Sequence, residues 1–502
     1  MRRAVLVVAA ACLLTGPIVL AFFAGGYHTE PRLVAALATW ILVALVACLM
    51  PGVLPRTGAG RAALGGLVAL ALWSAVSIAW APLGGPAVEV VQRLALYVGA
   101  LLLALGVLRS PSALRAVEPA LAAGATVVVG YGLAGRLLPG LIELARSRSA
   151  GGRLEQPITY WNGEGAVAAM GLVLCARVAG DRARPSAVRA LAAAAAAPLG
   201  AGLYVTYSRG AIAVAALGLA VLVAMAPTRA QVTASAVALA AAAVAAAAAA
   251  AFPAVASAGG TSADRTREGA IVLALVVLVA VAAAAWTARR ADATDRPLPR
   301  SAKLAPVAAA VVLGVVAGLV VGGLAERQSA TELATGADAT RLTTASSNRY
   351  EYWRVGARAF ADHPVAGLGA AGFRVEWLRE RTIPEAVRDA HSLEVEIAAE
   401  LGLVGLAAFA AMVAGMAVAA RRALRRSRAT AAGWCAALLV WLLHASIDWD
   451  WQLPAVTLPA IVLAGAVLAL SEASPDELPA RGDAHAAAHT DATTPLAVGA
   501  GG

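Results

Sequence analysis

The chain has 502 residues, of which 60% are hydrophobic and only 14% are charged, and its formal net charge is +10. A soluble globular protein of this composition would leave too much apolar surface in water, so the composition excludes that class. The positive charge lies mostly in short arginine-rich segments between apolar runs, as in the cytoplasmic loops of membrane proteins, and predicts no nucleic-acid partner.

Uncharged runs long enough to cross a bilayer recur along the chain and predict about 14 spans. We therefore expect an all-α fold, a polytopic transmembrane helical bundle of about 12–14 spans, because lipid offers no partners for unpaired backbone groups. The first run is expected to be an uncleaved helix rather than a signal peptide. The predicted spans lie near residues 4–24, 33–53, 62–81, 90–108, 113–135, 160–179, 188–207, 210–226, 232–255, 268–287, 303–324, 394–420, 431–448 and 453–471.

The distribution of arginine predicts the orientation of these spans. With the N-terminus in the cytoplasm, most arginine-rich connections fall on the cytoplasmic side, as the positive-inside rule requires. These connections are residues 56–61, 109–115, 177–189, 289–303 and 421–428. The pattern predicts a multi-pass protein of the plasma membrane.

The predicted organisation has four parts. Residues 1–324 hold eleven spans, 325–393 form a large extracytoplasmic loop, 394–471 hold the remaining spans, and 472–502 form a disordered cytoplasmic tail. Loops as long as the second part are uncommon and usually functional or disordered, and its helical patterns and aromatic residues favour a folded, functional loop.

The stretch "NRYEYWRVGARAFADHPVAGLGAAGF" (348–373) predicts a helix inside this loop. Asn348 and Glu351 have the spacing of an N-cap and its return partner, and His363-Pro364 should end the helix. Arg349 lies in the first turn, where a guanidinium can help helix amides to hold a phosphate. The alternative is an amphipathic helix whose arginines touch lipid headgroups.

The stretch "RDAHSLEVEIAAELGLVGL" (388–406) places His391 just before an apolar helix. The helix dipole disfavours imidazolium at this position, whereas the nearby Asp389 favours it. A neutral imidazole held by a carboxylate is a good general base near pH 7. The alternative is a histidine that only caps the helix.

The turn "YSRG" (207–210) places Arg209 at the predicted outer membrane face. A charged residue there is costly and usually functional, although an arginine in a tight turn can also extend towards water. Arg209, Arg349 and His391 share the outer side in this topology. Together they suit a diphosphate leaving group, whose charge arginines can offset without a metal, and an acceptor hydroxyl whose proton the histidine can take.

These residues occur in blocks that resemble the O-antigen ligase and polymerase-like family of bacterial membrane glycosyltransferases. The blocks are "GRLEQPITYWNGEGAVAAMGL" (152–172), "YVTYSRGAI" (204–212), the two stretches within 348–373 and 389–406, and "HASIDWDWQLPAVTLP" (444–459). The resemblance implies a helical bundle with an extracytoplasmic loop and transfer of a glycan from an undecaprenyl-diphosphate carrier to a glycan or lipid acceptor. It implies inversion and no metal or other cofactor, in surface polysaccharide biosynthesis.

By this resemblance His391 is the base or acceptor-activating residue, and Arg209 and Arg349 bind the diphosphate. Arg153 is a secondary candidate for the diphosphate, and Asp389 is a secondary catalytic candidate. The family often has Asn after the histidine, whereas this chain has Ser392.

Two other functions fit parts of the sequence. Asp448 and Asp450 in "DWD" have an acid-x-acid spacing that could hold a divalent metal, although Trp449 and Trp451 favour an interfacial aromatic belt. The span count also suits a transporter or flippase of lipid-linked saccharides. Such proteins usually place ionisable residues at mid-membrane or contain internal repeats, and neither is evident here.

Overall fold

A computed structural model describes residues 2–50, 53–290 and 348–473. Within these ranges the long regular elements are all α-helices, which confirms the expected all-α class. The helices are α1 Arg2–Ala21, α2 Thr29–Leu49, α3 Gly58–Ser77, α4 Gly84–Val107, α5 Pro111–Leu137, α6 Trp161–Gly180, α7 Ser186–Val205, α8 Arg209–Met225, α9 Arg229–Ala251, α10 Pro253–Ser257, α11 Ser262–Arg289, α12 Arg349–Asp362, α13 Phe373–Glu380, α14 Leu393–Arg426, α15 Arg428–Ala445 and α16 Pro454–Glu472.

Twelve of the described helices are long and apolar enough to cross a membrane, and α8 is a shorter apolar helix. The polytopic bundle is thereby confirmed. Each predicted span that falls on described residues corresponds to one of these helices, whereas the predicted span 303–324 and most of the predicted tail lie outside the described residues. The four-part domain division stays a prediction.

The connections between the spanning helices lie at two ends of the bundle. The loop end carries residues 138–160, 206–208, 252–261, 348–392 and 446–453. The opposite end carries the connections 108–110, 181–185, 226–228 and 427. Helix α6 runs from one end to the other, packs against α5, α7, α8, α9 and α15, and is buried along almost its whole length.

Small residues allow the helices to pack at short distance. A Cβ built on Gly66 of α3 would lie 2.5 Å from the carbonyl oxygen of Ala408 in α14. A Cβ on Gly200 of α7 would lie 2.3 Å from Cα of Ala242 in α9. Helices in lipid associate through such close backbone contact. Lipid tails are as apolar as the helix surfaces, so the hydrophobic effect does not drive the helices together.

Helices α12 and α13 form a layer at the loop end with a core of its own. Tyr352, Val355 and Ala359 of α12 pack with Phe373 and Trp377 of α13. Helix α12 ends at Asp362, before His363-Pro364 as predicted. The predicted capping by Asn348 is wrong, because its side chain makes no cap bond and instead donates to Glu385 Oε2 at 2.6 Å.

The loop after α12 is joined to α14 at a break in that helix. Gly402 has φ 63° and ψ −157°, a conformation open essentially only to glycine, so the helical hydrogen bonds stop there. The loop replaces them: Leu403 N–H donates to Pro364 O at 2.8 Å, and Leu368 N–H donates to Ala399 O at 2.9 Å. The α12–α13 layer is therefore held on the bundle by main-chain hydrogen bonds.

Candidate active site

An ion pair joins the α12–α13 layer to the bundle. The guanidinium of Arg349, in the first turn of α12, donates to Oδ2 of Asp448, in the connection between α15 and α16. The Asp448 side chain is 1% exposed and that of Arg349 is 25% exposed. The cation is thus anchored on its buried side and can still be reached from outside.

Asp448 is held by further donors around its carboxylate. Tyr160 Oη donates to Oδ1 at 2.5 Å, and Asn162 Nδ2 donates to Oδ2 at 2.7 Å. The main-chain N–H of Trp449 donates to Oδ1 at 2.9 Å. Burial by itself raises the pKa of Asp448, but the Arg349 guanidinium opposes this rise, and the pKa of Asp448 lies below the ordinary value, so the carboxylate stays charged.

The imidazole of His391 has a defined tautomer. Its Nδ1 lies 3.0 Å from the main-chain oxygen of Asp389, and a carbonyl oxygen can only accept a hydrogen bond. Nδ1 therefore carries the proton, and in the neutral ring Nε2 carries the lone pair that a general base uses. The ring is oriented by the main chain of Asp389 rather than by a hydrogen bond to its carboxylate.

Aromatic rings surround His391 and keep it uncharged. Its ring centroid lies 5.0 Å from that of Tyr352 and 6.3 Å from that of Trp449. Burial lowers the pKa of His391, and the nearby Arg349 lowers it as well, while Asp448 partly opposes them. The histidine is thus neutral at pH 7.

Two glutamates in the first turn of α14 position the segment that carries His391. Glu396 accepts from the N–H of Ala390 at 3.3 Å and from the side chain of Gln452. Glu394 accepts from Ser446 Oγ at 2.8 Å. Since Ser446 and Gln452 flank Asp448, these bonds hold the His391 segment beside the Asp448 segment.

Arg153 joins the same region through aromatic residues. Its guanidinium lies 3.5 Å from the ring centroid of Trp161, and it donates to the main-chain oxygens of Ala150 and Ser149 at 2.6 and 2.7 Å. Trp161 lies 4.9 Å from Tyr160, which binds Asp448. Two aromatic rings, those of Trp161 and Tyr160, therefore connect Arg153 to the Arg349–Asp448 pair.

Arg209 begins α8 at the loop end of the bundle. A Cβ built on the adjacent Gly210 would lie 2.8 Å from Cδ1 of Ile447 and 3.6 Å from Nε2 of His444. Ile447 directly precedes Asp448 and His444 lies four residues before it, so the structure brings the backbone at Arg209 close to the segment that binds Arg349.

The sequence did not single out several residues that build this region. The sequence predicts no separate role for Tyr160, Asn162 or His444, and it offers Asp448 and Asp450 only as an alternative metal site. In the structure Asp448 binds Arg349, and Asp450 binds His444 Nδ1 at 2.5 Å in a fully buried pair. Burial raises the pKa of Asp450, and His444 opposes this rise. The signal in the sequence was the placement of polar residues among aromatic residues in an otherwise apolar chain.

One family model matches the chain. It is described as O-Antigen ligase, and it matches residues 254–410. The predicted resemblance to this family is thus confirmed, and the matched range includes Arg349, His391 and the break at Gly402. Among curated proteins, none matches the chain.

The match to the O-Antigen ligase model and the twelve apolar helices support a multi-pass membrane enzyme that ligates glycans, and this family implies lipid-linked glycan substrates. Arg153, Arg209 and the Asp448 segment lie outside the matched range. The region around Arg349 is therefore assembled from the matched range and from segments that flank it in the sequence.

Proposed function

We propose that the protein moves a glycan from an undecaprenyl-diphosphate carrier to the hydroxyl of a glycan or lipid acceptor at the extracytoplasmic face. The proposal is carried by two groups that lie in one region. One is a neutral histidine whose Nε2 can accept a proton, and the other is an arginine anchored by a buried carboxylate. The first group suits an acceptor hydroxyl, and the second suits a diphosphate.

In the proposed reaction His391 Nε2 takes the proton as the acceptor oxygen attacks the anomeric carbon. The bond from that carbon to the diphosphate oxygen breaks on the opposite side, so a single displacement inverts the anomeric centre. Arg349 stabilises the charge that develops on the leaving diphosphate, with Arg209 and Arg153 as further cationic groups. Asp389 acts as a positioning residue through its main-chain oxygen.

Arginine suits this task without a metal. Its guanidinium stays protonated and presents several N–H donors in a plane, which matches the oxygens of a diphosphate. The buried Asp448 holds Arg349 in place before the substrate arrives, so less ordering is needed on binding. We accordingly propose transfer that is independent of divalent metal.

The test is transfer from a lipid-diphosphate glycan to an acceptor by the purified full-length protein in nanodiscs. We expect His391→Ala and Arg349→Ala each to lower the rate by about 100-fold or more, because a general base and a charge-stabilising donor each contribute on that order. Excess EDTA should leave the wild-type rate unchanged.

Two matched variants serve as controls. His363→Ala removes an exposed histidine of the same loop, and Arg358→Ala removes an arginine of the same helix whose partner is Glu380. Both should retain near-normal transfer. Wild-type rates in folded His391→Ala and Arg349→Ala variants would reject the proposal, and transport of the lipid-linked glycan without any transfer product would favour a flippase.

A further inference from the structure

A second polar region lies at the opposite end of the bundle from the Arg349–Asp448 pair. It is a cavity of about 1050 Å³ between the ends of α4, α6, α8, α14 and α16 and the starts of α5, α9 and α15. Helix α15 runs from this cavity at Arg428 to the candidate active site near Ala445. At 1.5 Å per residue its 18 residues separate the two regions by roughly 27 Å.

The wall of the cavity is strongly basic. Nine arginines and three acidic residues line it, which leaves six positive charges in excess. The arginines are Arg56, Arg109, Arg115, Arg177, Arg182, Arg184, Arg425, Arg426 and Arg428, and the acidic residues are Glu118, Asp181 and Glu472.

The acidic residues are already engaged by groups of the wall. Glu118 pairs with Arg184 at 2.9 Å and with Arg177 at 3.9 Å, and Asp181 also pairs with Arg184, at 3.1 Å. Glu472 accepts the main-chain N–H groups of residues 56 and 57 at 2.9 and 3.0 Å. Three further arginines of the wall, Arg425, Arg426 and Arg428, are exposed and add positive charge to the cavity.

A buried donor in the wall also lacks an acceptor. Trp434 lines the cavity and is 1% exposed, and its Nε1 is buried with no hydrogen-bond partner within the described part of the chain. An indole N–H can only donate, and leaving such a group unpaired in a buried position costs free energy. An acceptor oxygen that reached this N–H would remove this cost.

Apolar side chains complete the wall, among them Leu105, Leu114, Met225 and Leu424. We propose that the cavity binds a phosphate group, carried either by the headgroup of a membrane lipid or by a free phosphate compound. Phosphate offers only acceptor oxygens and negative charge, which complements guanidiniums and an unpaired N–H. This site is separate from the proposed glycan transfer and does not depend on it.

The experiment measures thermal unfolding of the full-length protein in nanodiscs. One arm compares phosphatidylglycerol with phosphatidylcholine, and the other adds inorganic phosphate to phosphatidylcholine nanodiscs. We expect phosphatidylglycerol or phosphate to raise Tm of the wild type. In Arg425→Gln/Arg426→Gln the concentration that gives half of this rise should increase roughly tenfold, because two guanidinium partners are lost.

Trp434→Phe should reduce the same response, since it removes the N–H and keeps a ring. Trp441→Phe is its control, because Trp441 lies two turns along α15, does not line the cavity, and has a buried Nε1 that likewise lacks a partner among the described residues. The double variant Arg421→Gln/Arg422→Gln is the control for net charge. It removes two charges from α14, the helix that also carries Arg425 and Arg426, at positions outside the cavity wall.

A response to phosphatidylglycerol alone identifies a lipid headgroup, and a response to inorganic phosphate identifies a free phosphate compound. The proposal is overturned if neither raises Tm of the wild type. It is equally overturned if the cavity variants respond as their control variants do. Glycan transfer is not a readout in either arm, so failure here is distinct from failure of the proposed function.

Discussion

At the scale of single residues, His391 combines an unusual backbone with an uncharged ring. Its φ of 51° lies in the left-handed region, which costs a non-glycine residue about 1–2 kcal/mol. The bonds from Ala390 to Glu396 and from Val395 N–H to Ser392 Oγ hold the chain in this conformation. Strain of this kind is retained where the direction of a side chain matters, which supports a functional role for the ring.

The lowered pKa of His391 predicts the pH dependence of glycan transfer. A general base acts only when deprotonated, so activity falls as pH drops through its pKa. Because burial lowers the pKa of His391, we expect the acid limb of kcat/KM to lie below the ordinary histidine value of about 6.5. The measurement is kcat/KM for transfer from pH 4.5 to 8.5.

Asp448→Asn provides a directional control for this profile. The Asp448 carboxylate raises the pKa of His391, so its loss should move the acid limb of the residual activity to still lower pH. An acid limb of the wild type above about pH 7 would contradict the assignment of His391 as the base.

At the scale of elements, the break in α14 connects the loop layer to the bundle. The predicted span 394–420 is one continuous segment, and apolar periodicity cannot show an interruption that keeps the same face buried. A Cβ on Gly402 would lie 2.3 Å from the carbonyl oxygen of Val365. The interruption depends on a contact with a distant loop, which a local pattern does not contain.

Gly402→Ala should therefore detach the loop from α14. We expect the free energy of unfolding to fall by about 3 kcal/mol or more, because the substitution adds both a forbidden conformation and a backbone collision. Thermal unfolding and the rate of proteolysis within residues 364–392 both measure this change. The unfolding temperature should fall, and the rate of proteolysis should rise.

Gly130→Ala is the matched control in the interior of α5. A Cβ there meets nothing within 4 Å, and alanine favours a helix over glycine by up to about 1 kcal/mol. This variant should be as stable as the wild type or slightly more so. Equal stability of Gly402→Ala and the wild type would show that the break in α14 is not required.

At the scale of the whole molecule, hydropathy predicted the bundle well. Each spanning helix must be apolar over most of its length, so it can be predicted from one continuous stretch of sequence. The site was predicted less completely. Arg349 and His391 border helices and could be recognised locally, whereas the bonds from Asp448 to Tyr160 and Arg349 cross 288 and 99 residues of sequence. Such pairings arise only from tertiary packing.

The positive-inside rule predicts that the loop end faces away from the cytoplasm. Leu141, 82% exposed at the loop end, and Ala183, exposed at the opposite end, are suitable positions for cysteine labelling. In a variant whose native cysteines are replaced by alanine, a membrane-impermeant maleimide should label Leu141→Cys in intact cells. It should label Ala183→Cys only after permeabilisation, and the reverse result would place the candidate site in the cytoplasm.

The ion pair between Arg349 and Asp448 also has a consequence for substrate turnover. Arg349 belongs to the loop layer and Asp448 to the bundle, so the empty enzyme never exposes an uncompensated cation at this position. An arriving diphosphate would compete with the carboxylate for the same guanidinium, and its departure would restore the original partner. The Asp448 carboxylate would thus replace the diphosphate as the partner of Arg349, and the diphosphate product would not be held tightly.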